Sequence, residues 1–469
     1  MRKKKKNDIS RRAFIKGCGA TCAAMGSLPF FSSFLNLGMI SSASAANIGQ
    51  EYKAMVCILL AGGNDSFNML VPKGNPEYQE YQSARGDLAL GQNDLLSLDV
   101  LDGDGREFGL HPGMTELQQL FNNGAASFIT NVGTLIEPVA NAQEFETRAK
   151  LLPLGLFSHA DQIEQWQTSL PDKRTGIGWA GKMNDLLQDL IGNNNISMNI
   201  SLSGTNIFQT GNQTTEFSVS SQGSTSIIGY KGGDTYEQIL TQSIDSMLNL
   251  EYKNIFEQAY ANKLRNSLDA EIAFREAIMS VQSVNTPFSN NMFSNSLKFI
   301  ANTINARENL GQKRQVFFVL FGGWDHHDDT LPRQQEMLPV ISKGLSEFYN
   351  ALTEMGITDN VATFTTSDFA RTLTSNGKGS DHAWGSNQIV VGGGIKGSRI
   401  FGNYPVLALN NPLDVGRGVL IPTTSTDEFF AELALWFGVT GSELSSILPN
   451  IGRFYDINSG SAPIGFLNI

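Results

Sequence analysis

The chain has 469 residues, 34 Lys and Arg against 45 Asp and Glu for a formal net charge of −11, and three cysteines. A surface of that sign repels phosphate backbones and anionic lipid headgroups, which argues against nucleic acid or a membrane surface as the main partner. At roughly 100–200 residues per domain, the length allows two or three domains or one large α/β enzyme.

The N-terminus departs from this acidity. Lys3 to Lys6 lead into Ser10-Arg11-Arg12-Ala13-Phe14-Ile15-Lys16, and a weakly apolar stretch from Gly17 to Ile40 ends in small residues. The paired arginines, an apolar region diluted by Ser27, Pro29, Ser32 and Asn36, and the small-x-small sequence Ala43-Ser44-Ala45 predict a twin-arginine signal over residues 1–45, cleaved after Ala45. The alternative, a membrane anchor, fits a run so broken by polar residues less well. Cleavage removes eight Lys/Arg and one Asp, leaving 26 basic and 44 acidic side chains, a net charge of −18. Cys18 and Cys22 leave with the signal, so Cys57 stands alone and the mature chain, residues 46–469, forms no internal disulfide. Its longest apolar runs, Met55 to Ala61 and Val316 to Phe321, fall far short of the ~18 residues that span a bilayer. The expectation is an exported protein, periplasmic or extracellular, with the twin-arginine translocation machinery as a partner and no membrane span after cleavage.

Short runs rich in Val, Ile and Phe, bounded by Gly, Asn or Asp, read as buried strands: Ala54 to Leu60, Ala126 to Thr130, Gln315 to Phe321, Val361 to Thr365 and Gln388 to Val391. Between them lie helical spacings, such as Leu240, Ile244, Met247 and Leu248, then Ile341, Leu345, Phe348 and Leu352. The alternation predicts an α/β fold with a mostly parallel central sheet flanked by helices. The stretch Ile191 to Tyr230, dense in Ser, Thr, Asn, Gln and Gly, precedes a long helical segment from about Tyr236 to Val281, and 191–285 reads as an inserted polar and helical region or cap. Thr426-Asp427-Glu428 opens an acid-started helix that stops at Gly438.

In open α/β sheets ligands collect at the carboxyl ends of strands. Asp65 follows the first run, Gly322-Gly323-Trp324-Asp325-His326-His327 the third, and Asp368-Phe369-Ala370-Arg371 the fourth, before a Gly-rich loop that reaches Ser380-Asp381-His382. Three of the five histidines, His326, His327 and His382, lie in these acid-bearing segments. Asp and His together are the ligands of Zn, Mn, Fe or Ca sites. Aspartates after strands also cap helices and hold turns, which is the plainer reading of any one of them.

Gly62-Gly63-Asn64-Asp65 with Val71-Pro72, Leu110-His111-Pro112, Ser158-His159-Ala160-Asp161-Gln162, Gly323 to His327 and Thr366 to Gly385 together resemble a bacterial family of twin-arginine-exported proteins of unknown function. That family lies within the alkaline phosphatase/sulfatase-like superfamily. The resemblance covers nearly the whole mature chain. It implies an alkaline phosphatase-like fold and a divalent metal site, with Asp65, Asp325, His326 or His327, Asp368 and His382 as ligands in that chain order. The sequence departs from the superfamily in placing Phe369 after Asp368, and in replacing an Asp-x-x-x-His spacing by Asp325-His326-His327. One metal, or two with altered ligation, of Zn, Mn or Ca type, are both open.

Ser158 is the first candidate nucleophile, because it precedes a helical pattern whose N-terminal dipole favours an oxyanion, with Ser66, next to Asp65, as the second; the alternative for Ser158 is that it caps that helix. His159 is a candidate ligand or acid. Arg371 and Asn376, between the last two motifs, are candidates to hold an anionic substrate, Arg371 by its planar fork. These readings give an exported metal-dependent hydrolase acting on small anionic esters, or else a non-catalytic binding or assembly protein with a degenerate metal site.

Overall fold

The computed structural model describes residues 51–469 apart from 102–103, 192–195, 222 and 225–226. The predicted signal, residues 1–45, lies outside the described residues.

Strand β1, Lys53–Ala61, is buried on both faces, as its unbroken apolar run requires. Its even-numbered residues Ala54, Val56, Ile58 and Leu60 enter one core. Met55, Cys57 and Leu59 enter another on the opposite face. The remaining strands, in chain order, are β2 (Leu70–Pro72), β3 (Leu96–Ser97), β4 (Phe108–Leu110), β5 (Ala126–Gly133), β6 (Asn199–Ser201), β7 (Phe217–Ser220), β8 (Gly223–Ser224), β9 (Arg314–Gly322), β10 (Val361–Ser367), β11 (Ser386–Val391), β12 (Ile400–Phe401) and β13 (Thr424–Ser425). A central sheet runs β12-β5-β11-β10-β1-β9-β6-β7-β8, with β13 added to β5, and β2-β4-β3 form a separate small sheet. β1 pairs in parallel with both β10 and β9, and β6 with both β9 and β7; β11 runs against its two neighbours. The sheet is therefore mixed but mostly parallel, and all five strands expected from the sequence are in it.

Among the described residues, the helices of eight residues or more are α1 (Glu77–Arg85), α2 (Thr115–Asn122), α3 (His159–Thr168), α4 (Trp179–Ile191), α5 (Thr235–Leu248), α6 (Ile255–Met279), α7 (Met292–Asn305), α8 (Thr330–Glu354) and α9 (Thr426–Phe437). Leu117, Phe121, Leu297, Ile300, Ile341 and Leu345 bring α2, α7 and α8 onto the even face of β1. Trp179, Met183, Phe429, Phe430 and Leu433 bring α4 and α9 onto the odd face. Two apolar faces on one sheet thus dictate three layers. None of the helices in the described residues is long and apolar enough to cross a membrane. Cys57 is free and buried.

The 191–285 stretch contributes β6 and β7 to the central sheet rather than lying wholly outside it. The helical segment expected from Tyr236 to Val281 is two helices, because Asn249 ends α5 and the Asn254 side chain caps Phe256 at the start of α6.

Helix α9 carries an internal cost. Ser425 and Glu428 form a capping box at its start, as the acid-led sequence implies. Between them, Asp427 is fully buried with neither carboxylate oxygen hydrogen-bonded. Burial pushes its carboxyl up to about 7. A folded value above the unfolded one means that stability is highest at acid pH and falls as pH rises through about 7. Asp427→Asn is expected to stabilise the protein by on the order of 2–4 kcal/mol at pH 8 and far less at pH 5. Urea unfolding at the two pH values measures the difference; equal gains at both would contradict it.

Candidate metal centre

The register of β1 against β9 and β10 sets Ala61 beside Gly322 and Leu60 beside Ser367, so three adjacent parallel strands end at one level. The loops that leave them pack closely. A Cβ on Gly62, at φ 118°, would meet the Asp325 backbone nitrogen at 2.5 Å, and one on Gly63, at φ 83°, would meet the Phe369 ring at 2.6 Å. Only glycine fits at either position. After β10 the chain turns back as a hairpin in which Arg371 bridges His382 and Ala370 pairs with Trp384 and Ala383. This returns His382 to the strand end. Helix α3 supplies the last side chain, His159, at its first residue.

Four groups converge here. His327 Nε2 lies 2.9 Å from His382 Nε2, and the two stand 3.1 and 3.4 Å from Asp325 Oδ1. His159 Nε2 lies 3.6 Å from Asp325 Oδ2. His159, Asp325 and His382 each offer a ligand atom within 4.8 Å of the others.

The far side of each ring fixes its tautomer. His159 Nδ1 is 2.6 Å from Asp368 Oδ2, His327 Nδ1 is 3.2 Å from Asp381 Oδ1, and His382 Nδ1 is 2.7 Å from the Phe157 carbonyl. A carboxylate or carbonyl oxygen only accepts, so every Nδ1 donates and every Nε2 of a neutral ring presents its lone pair to Asp325. Burial holds the His382 pKa below its ordinary value, which favours the neutral ring. Two imidazole lone pairs facing each other at 2.9 Å beside a carboxylate repel unless a cation or proton lies between them. Histidines anchored at Nδ1 with Nε2 converging on a carboxylate are the donor set that a divalent metal takes. The residues fit such an ion.

Asp325 is the open member, about half exposed. Partial burial disfavours its charge, but the Arg371 guanidinium outweighs that and holds the carboxyl below its ordinary value. Asp381, which no motif singled out, orients His327. It is fixed in turn by Asn376 Nδ2 at 3.1 Å and Arg417 at 2.7 Å. Phe369 lies against the His159 and His382 rings, with centroids 4.8 and 4.5 Å away, and so forms a packing wall beside them.

The other predicted residues are not among these four groups. Asp65 is fully buried in an ion pair with Arg85, 2.5 Å from Oδ2, beneath the loops. His326 is buried beside Trp324, with burial lowering its pKa and no partner for either ring nitrogen. Asp368 uses Oδ2 on His159 and accepts the Gly62 N–H on Oδ1. Arg371 is fully buried, donating to the carbonyls of Gly62, Gly63, Trp324 and Ser380 as well as to Asp325. Its guanidinium is thus engaged within the protein, by the loops that leave three strands. Asn376 binds the His327 carbonyl and Asp381. Ser158 caps α3, its Oγ accepting the Asp161 N–H at 3.5 Å.

Solved structures similar to the chain include that of Ps i-CgsB, with 11% identity over 87% of this chain and 78% of that one and a TM-score of 0.34. They also include the PsFucS1 sulfatase from Pseudoalteromonas sp., with 10% identity over 86% and 71% and a TM-score of 0.34. The lipoteichoic acid synthase LtaP from Listeria monocytogenes matches with 9% identity over 83% and 80% and a TM-score of 0.31. No curated protein sequence matches the chain. The model of the family described as Protein of unknown function (DUF1501) matches residues 52–448, and the chain belongs to that family.

Proposed function

We propose that this protein is an exported hydrolase of the phosphatase/sulfatase type that acts on small anionic esters with a single divalent metal ion held by His159, Asp325, His327 and His382. The convergence of three Nε2 lone pairs on Asp325 carries this reading. A divalent ion at such a site holds and polarises an ester oxygen and lowers the pKa of an attacking hydroxyl group or water. Zn fits a set of three imidazoles and one carboxylate better than Ca, which prefers oxygen ligands. The count of one rests on the other carboxylates: Asp65 is paired with Arg85, and both Asp368 oxygens are occupied by hydrogen-bond donors.

The chain's own groups supply the rest. Asp368 and Asp381 hold two imidazoles in the ligand tautomer, and Phe369 shuts water out from below the rings. Arg417, more than half exposed and paired to Asp381, is a cation at the rim available to an anionic substrate. Ser158 serves as a helix cap, and water is the nucleophile. Residues 1–45 direct twin-arginine export, which suits a protein that loads metal before it crosses the membrane folded.

Purified signal-cleaved protein should hydrolyse aryl phosphate or aryl sulfate esters, lose turnover on chelation and regain it with Zn or Mn. Ser158→Ala should retain that turnover while losing ~1 kcal/mol of stability from the missing cap. Turnover lost in Ser158→Ala with metal retained would instead make the serine the nucleophile. Metal retained by wild type with no turnover across both ester classes would point to a binding protein, a reading that the use of Ser158 as a cap also favours.

A further inference from the structure

Among the described residues, the helices α5 and α6 leave several large apolar side chains uncovered. None of the 14 residues of α5 is buried, and in α6 the buried residues begin only at Ala261. The inner faces hold together through Tyr230, whose hydroxyl donates to Asp245 at 2.7 Å and accepts from Arg265 at 2.9 Å. The outer faces carry Tyr236 at 74% exposure, Ile239 at 58%, Met247 at 56%, Ile255 at 76%, Phe256 at 81% and Tyr260 at 70%. Tyr236, Ile239 and Met247 fall within about 80° of one another around α5, so they form one stripe. A helix of this length gains most of its stability by packing one apolar face, and α5 packs none fully within its own chain.

We infer that this α5–α6 surface is the contact through which two copies of the chain form a two-fold dimer. Three observations select a second copy. First, with a full aromatic side chain contributing ~150–250 Å² and an aliphatic one somewhat less, the six residues expose on the order of 800 Å². That sum is about what each partner buries in a stable interface. Second, the six side chains are uncharged, and an apolar patch is its own complement: an isologous contact asks for no matching surface elsewhere. Third, a mature chain of net charge −18 is repelled by anionic lipid, which disfavours a bilayer as the cover. The inference does not depend on the metal site or on any hydrolytic activity.

Sedimentation velocity on signal-cleaved protein over a concentration series tests it. Wild type should sediment at twice the chain mass. Phe256→Glu in α6 and, independently, Ile239→Glu in α5 should each raise the dimer dissociation constant at least ~10-fold, by placing an unpaired carboxylate in the contact. Both residues are exposed, so circular dichroism and metal content should not change. A wild type that stays monomeric at the highest concentration reached overturns the inference, whether or not another protein binds the patch. So does a dimer that neither variant weakens, since the contact would then lie elsewhere.

Discussion

Asp368→Asn is expected to weaken metal binding by ~10–100-fold without unfolding the protein. Both Asp368 oxygens accept, one from the Gly62 N–H at 3.1 Å and one from His159 Nδ1 at 2.6 Å. An asparagine must set its NH₂ against one of these donors. The backbone amide cannot change, but the imidazole can move its proton. The amide oxygen therefore stays with Gly62, the NH₂ faces His159, and the ring shifts to the Nε2–H tautomer, which closes the lone pair that points to Asp325. Chelator competition measures the dissociation constant, and an unchanged melting temperature of the metal-free protein separates this from general damage. Equal affinity in the two proteins would mean that His159 is not a ligand.

Arg85→Ala is expected to cost ~3–5 kcal/mol of folding stability, the largest single effect anticipated outside the core. It strands a carboxylate of zero exposure whose Oδ1 already lacks a partner. Arg85 also donates to the Thr372 carbonyl, tying α1 to the hairpin that carries His382. Urea denaturation of metal-free protein checks the magnitude. Adding Asp65→Asn to Arg85→Ala should recover part of the loss, since a neutral amide is cheaper to bury than an unpaired charge. Asp65→Asn by itself should leave metal content unchanged; loss of metal would return Asp65 to the ligand set that the family resemblance implies.

The framework was legible because the central strands are buried on both faces and so appear as uninterrupted apolar runs, as in Ala54 to Leu60 and Gln315 to Phe321. Their adjacency placed the strand-end aspartates and histidines in one neighbourhood, and Asp325, His327 and His382 do meet there. Local signals also identified helix starts: Ser158 before α3, and the acid-led start of α9.

What the sequence left open was the choice among chemically equal side chains. Asp65, Asp325 and Asp368 all follow strands, yet an arginine 20 residues away neutralises the first, the second faces solvent, and the third is taken up by its two donors. No local pattern distinguishes them, because each outcome depends on partners brought by tertiary structure. No local pattern marks Asp381, although it adjoins His382, since its partner, His327, is 54 positions away. Arg371 suggested an anion binder by residue type, but backbone carbonyls of three converging loops claim its donors. The one signal available for the loop packing was the Gly62-Gly63 pair, whose lack of side chains lets Asp325 and Phe369 approach.

Elemental analysis of metal per chain, on signal-cleaved wild type and on an Asp325→Ala, His382→Ala double variant grown with the same metal supplement, tests the metal centre most directly. The convergent Nε2 atoms predict close to one ion per chain in wild type and none in a variant that remains folded. Metal-free wild type, or equal metal in both proteins, would contradict the assignment and leave the facing imidazoles to be bridged by a proton instead.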